Sequence, residues 1–133
     1  MKTLTLAAAL WLGLAMGAVA QSDDIRQTIR SQLDAFKSDD FATAYDYASP
    51  TIKNVFRNPE MFGHMVQHGY PMVWRPGAVV FLDIEERDGR IFQPVMIEDR
   101  SGKVHVLEYK MIQIENEWQI DGVRLLDSDG AIA

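Results

Sequence analysis

The chain has 133 residues, a formal net charge of −6, 47 % hydrophobic and 10 % aromatic residues, and no cysteine. Such a chain is too short for two independent cores and too apolar for disorder, so it reads as one globular domain. The acidic balance, with no basic stripe, excludes a nucleic-acid binder. The missing cysteine excludes disulfides, thiol catalysis, iron–sulfur clusters and a lipid-anchoring cysteine.

Met1-Lys2-Thr3 is a short positive start, Leu4 to Met16 form an apolar run, and Ala18-Val19-Ala20 places small residues at the two positions a signal peptidase reads. Together these features predict a secretory signal over residues 1–20, cleaved between Ala20 and Gln21, and a periplasmic or secreted protein. The run is shorter than the roughly twenty apolar residues of a membrane span. No membrane attachment is expected after cleavage.

In the remaining chain, Ile25, Ile29, Leu33 and Phe36 recur at helical spacing and predict an amphipathic helix over Ser22–Lys37, capped by Ser22 or Asp23. Asp39-Asp40 supplies the cap of a second helix carrying Phe41, Ala44, Tyr45 and Ala48. Ser49-Pro50 and Asn58-Pro59 are cap-plus-proline pairs. They predict a short helix with Ile52, Val55 and Phe56, then another reaching about His68 and stopped by Gly69.

From Val73 onward β-branched and aromatic residues dominate. Asp88-Gly89, Ser101-Gly102 and Asn116 separate four runs, Ala78–Glu86, Arg90–Glu98, Lys103–Glu115 and Glu117–Leu126. The pattern predicts an antiparallel meander of four strands, with a short extra strand near Met72–Trp74. Both faces of Ala78–Leu82 are apolar, so that strand is expected to be covered on both sides. Trp118 and Ile120 fall on one parity of the last strand, Val123 and Leu125 on the other. A bulge at Asp121-Gly122 would reconcile them. The fold class is therefore α+β: N-terminal helices packed on a curved antiparallel sheet of four or more strands. The domain is expected over residues 21–126, with a flexible tail over 127–133.

Gln32-Leu33-Asp34-Ala35-Phe36, Asp39-Asp40-Phe41, Ala44-Tyr45 and the closing Trp118-Gln119-Ile120-Asp121-Gly122-Val123 resemble the nuclear transport factor 2-like superfamily. Tyr47-Ala48-Ser49-Pro50, Phe62-x-x-Met65-Val66 and Gly69-Tyr70 are similar, more narrowly, to an exported bacterial family, domain-of-unknown-function family 4864. The wider resemblance implies a cone, a bent sheet wrapped around an N-terminal helix. That superfamily contains isomerases, dehydratases, epoxide hydrolases, accessory subunits and plain binding proteins. The matching residues are core and turn positions, so no catalytic role carries across.

The candidate acid/base residues are Asp83, which interrupts an apolar run, and Tyr109. The usual place of such residues is a strand end and a core aromatic. A pocket inside a cone would be lined by Phe36, Tyr45, Phe81, Leu107, Tyr109 and Trp118. Met61, His64, Met65 and His68 lie on one arc of a helix and form a thioether–imidazole set suited to copper(I). The apolar spacing of that helix instead predicts both methionines in the core, so no metal or other cofactor is expected. His105 stands alone in a strand. The mixed face Val104, Val106, Glu108, Lys110, Ile112 and Ile114 would suit a homodimer through the sheet. These readings favour non-catalytic binding of a small apolar ligand or a protein partner. The alternatives are a small isomerase-, dehydratase- or hydrolase-type enzyme using a pocket carboxylate, and an accessory dimerisation or interaction module.

Overall fold

The structure, a computed structural model, describes residues 2–126, with side chains from residue 17 onward. The tail expected over 127–133 lies outside the described residues. Helices α1 (Lys2–Lys37), α2 (Phe41–Asp46), α3 (Pro50–Phe56), α4 (Pro59–Gly69) and α5 (Pro71–Trp74) precede strands β1 (Val79–Phe81), β2 (Glu85–Arg87), β3 (Arg90–Glu98), β4 (Val104–Ile114) and β5 (Glu117–Leu125). The sheet is antiparallel and open, in the order β1-β3-β4-β5, with β2 also paired to β3. It is an α+β fold consistent with a cone.

Helix α1 lies over the inner face of the sheet. Ile25, Ile29, Leu33 and Phe36 share one buried core with Val95 and Ile97 of β3, Leu107, Tyr109 and Met111 of β4, and Ile120 of β5. The helix does not start at Ser22; it runs unbroken through the expected cleavage point, leaving Ser22 and Asp23 internal. The Ala- and Leu-rich stretch before them propagates a helix more readily than a serine can stop it. Gly17–Ala20 are exposed, and among the described side chains Ile25 is the first in the core.

The caps of α2, α3 and α4 fall where the sequence places them. Asp40, Ser49 and Asn58 accept from the backbone N–H of Thr43, Ile52 and Met61, with Pro50 and Pro59 opening their helices. Two positions depart from the expected helix faces. Val55 and Met61 point outward, because Ile52 with Phe56 and Phe62 with Val66 define the inward faces of α3 and α4. The extra strand expected near Met72–Trp74 is the short helix α5. Pro71 takes its first position, and the N–H groups of Val73 and Trp74 bond to the Tyr70 carbonyl.

The Asp88-Gly89 and Glu115-Asn116 turns both hold two consecutive positive φ angles, the geometry of tight hairpins. The run Ala78–Glu86 is not one strand. Phe81 pairs with Val95 and Glu85 with Phe92, so Leu82, Asp83 and Ile84 face only Gln93 and Pro94. The Leu82 N–H donates to the Pro94 carbonyl at 3.0 Å, but proline has no N–H to return to the Leu82 carbonyl. The fully buried Gln93 amide takes that place at 2.7 Å, and the Arg26 guanidinium of α1 adds a second donor at 3.3 Å. This edge is also not covered on both sides: Val80 is 52 % exposed.

In β5 the expected bulge is present. Lys110 pairs with Gly122 and Met111 with Ile120, leaving Asp121 unpaired. Its carboxylate receives the Ser49 hydroxyl at 2.6 Å and lies 3.3 Å from Lys110 Nζ. The Ser49 N–H donates to the Ile120 carbonyl at 2.9 Å, joining the α2–α3 connection to the strand. Ser49→Ala removes both a helix cap and the bulge's buried donor. It should lower unfolding free energy by about 1–2 kcal/mol in urea titration; an unchanged midpoint would show that the serine pins nothing.

Candidate functional site

Between α1, the short helices and β5 lies a cavity of about 210 Å³. Gln32 and Phe36 of α1, Ile52 and Phe56 of α3, Phe62, Met65 and Val66 of α4, and Val73 of α5 form most of its wall. Ala48, Tyr70 and the β5 residues Ile120, Gly122 and Val123 complete it. Phe62 is the aromatic hub, with the rings of Phe36, Tyr45 and Phe56 at 5.7, 5.5 and 5.7 Å. Helix α2 approaches α4 closely because residue 63 is glycine: a Cβ there would sit 2.5 Å from the Phe41 ring.

Two polar side chains touch the cavity, and each makes a bond to backbone. The Gln32 amide donates to the Ala44 carbonyl at 3.0 Å, and the Tyr70 hydroxyl to the Val123 carbonyl at 3.2 Å. Among the described residues the wall carries no carboxylate, imidazole, amine or guanidinium. Such a site can desolvate an apolar molecule and offer it an amide.

Of the pocket residues expected from sequence, Phe36 alone lines this cavity. Tyr45 stands behind Phe62, its hydroxyl donating to the Lys53 carbonyl at 2.8 Å. Phe81 sits at the sheet edge beneath the Arg26 and Arg30 guanidiniums. Leu107 is fully buried in the core, and Trp118 is half-buried near the start of β5. Ile52, Phe56, Met65, Tyr70 and Val73 were not expected here; the cap-and-proline segments that carry them were the only available signal.

The two acid/base candidates do not meet. Asp83 is exposed in the β1–β2 connection, whereas Tyr109 is wholly buried on the inner face of β4. Burial pushes the Tyr109 phenol far above its ordinary range, with a smaller push from Tyr70. Its hydroxyl has no hydrogen-bond partner among the described residues. His105 is not alone: its Nε2 lies 2.8 Å from Asp99 Oδ2. That contact first, and the Ser101 hydroxyl second, hold the Asp99 carboxyl far below the usual range. Asp99 also accepts the N–H groups of Ser101 and Lys103, so this pair orders the β3–β4 turn.

On the outer face, Glu108 is 5 % exposed and lies between Arg87 at 2.8 Å and Arg124 at 3.0 Å. The Arg87 hydrogen bond, with Arg124 behind it, holds its carboxyl below the ordinary range. The charge expected to complement a second copy is thus spent within this face, while Val104 and Ile112 stay exposed there.

Among the metal candidates, Met65 is half-buried and lines the cavity, while Met61, His64 and His68 are exposed. Because the Tyr109 hydroxyl is unpaired, Tyr109→Phe should change stability by less than about 1 kcal/mol or raise it. A loss above about 2 kcal/mol in denaturant titration would mean that the hydroxyl is bonded.

No match was found among curated proteins or among solved structures. The family model described as Domain of unknown function (DUF4864) matches residues 18–133, which take in the cavity-lining residues from Gln32 to Val123, and the chain belongs to that family.

Proposed function

We propose that this domain is an exported binding protein of the nuclear transport factor 2-like kind, which holds a small apolar molecule and releases it unchanged. The carrying observation is the cavity wall, apolar except for Gln32 and Tyr70. Its volume of about 210 Å³ bounds the occupant. Cavities of about 150 Å³ accept benzene, so this one suits a mono- or bicyclic ring or a short branched chain with one polar atom for Gln32. Among the described residues the wall holds no carboxylate, imidazole or amine, and its one phenol, Tyr70, donates to a backbone carbonyl, which supports binding over turnover. Export rests on the leader Met1–Ala20, with its short positive start, apolar run and small residues before the cleavage point. The domain then comprises residues 21–126.

A second reading concerns the outer face of the sheet, where Val80, Val104 and Ile112 are 52, 42 and 38 % exposed. An apolar face of this kind supports a homodimer packed sheet to sheet.

Native mass spectrometry of the protein recovered from the exported fraction of a bacterium expressing the full chain tests these readings together. The expected species begins at Gln21 and carries a small molecule that Val66→Phe, by filling the cavity, excludes. An uncleaved chain in the cytosol would overturn export. With a ring panel such as toluene, phenol and indole at about a hundred times Kd, the wild type should gain about 2.7 kcal/mol. Absence of both cargo and any Tm rise would end the ligand reading. A dimer that Ile112→Asp dissociates would support the sheet interface, and a monomer at micromolar concentration would remove it.

A further inference from the structure

We propose that Met61, His64 and His68 form a surface site on α4 for a soft transition-metal ion, with copper(I) as the preferred occupant. The two imidazoles stand four residues apart on one helix face, with ring centroids 4.2 Å apart and planes inclined at 53°. Side chains at this spacing lie over one another on successive turns, so two neighbouring imidazoles can reach one ion. Both histidines are exposed, and neither has a hydrogen bond or ion-pair partner among the described residues. The pair is free to ligate.

Met61 supplies the third ligand and the choice of metal. It lies one turn before His64 and is 56 % exposed, although α4 has an inward face onto which Phe62 and Val66 pack. With Phe62 and Val66 filling the inward face, the Met61 thioether is left in solvent beside the histidines' side of the helix. Among the described residues no three His, Cys, Asp or Glu side chains converge, so a hard oxygen ligand does not complete the set. Two imidazoles with a thioether favour copper(I) over zinc or magnesium. His68 lies in the last turn of α4, where the negative end of the helix dipole favours a cation. This site lies on the solvent side of α4, away from the cavity, and does not depend on the ligand reading above.

The test is competition for copper(I), buffered by bicinchoninate under reducing conditions, using the full chain. One equivalent should bind. His64→Ala or His68→Ala should weaken binding at least about tenfold by breaking the chelate, and the double variant should remove it. Met61→Leu should weaken copper(I) while leaving nickel(II), which the imidazoles hold, unchanged. All three side chains are exposed, and unchanged circular dichroism would confirm that the variants fold; His64→Gln and His68→Gln serve should an alanine variant not. Failure of the wild type to compete, or full binding by the double variant, would overturn the site. Equal copper(I) affinity in Met61→Leu would overturn the choice of metal.

Discussion

Strand β5 carries its apolar side chains on two parities, and the cavity requires both to face inward. Trp118 and Ile120 set one phase, Val123 and Leu125 the other, and the extra residue at Asp121 shifts the phase between them. Ile120 and Val123 then meet on the same wall. An unpaired residue in a strand would ordinarily be a weak point, yet Asp121 is held from both sides by Ser49 and Lys110. Ser49 also caps α3, so one hydroxyl couples the helical wall of the cavity to the strand that forms its floor. The void survives because its boundary is pinned by polar contacts outside it.

The same separation of polar and apolar work runs through the domain. Ion pairs sit at the periphery: Asp39 accepts the Trp74 indole N–H and the Arg75 guanidinium, and these bonds keep its carboxyl below the usual range. Arg75 also donates to the Phe36 carbonyl at 2.6 Å, placing a cation at the C-terminal end of α1. Glu108 with its arginines and Asp99 with His105 occupy the outer face and a turn. None of these charges lies among the described residues that line the cavity, where the polar side chains are Gln32 and Tyr70.

Much of this architecture was legible in the sequence because it rests on local chemistry. Asp40, Ser49-Pro50 and Asn58-Pro59 announce helix starts through groups that bond within three residues, and Asp88-Gly89 announces a hairpin through backbone angles. The bulge was legible because a period of two makes any phase error visible. Features set by contacts between distant segments were not. Pro71-Met72-Val73-Trp74 is too short for periodicity to choose between strand and helix. Met61 and Met65 share an apolar character that spacing cannot sort into solvent and cavity. The wall was sought on the inner strands, but Leu107 and Tyr109 are packed solid under α1, and the space lies toward α3, α4 and α5.

Pro94 has an effect on how this sheet meets other molecules. Its missing N–H and the inserted residue opposite cut the outer edge into two three-residue pieces, β1 and β2. Gln93 and Arg26 occupy the carbonyl that the break exposes. A foreign strand seeking a long, regular template for cross-β growth finds none there. The apolar Val80 can thus stay at this rim without standing on a continuous backbone template for amyloid-like stacking.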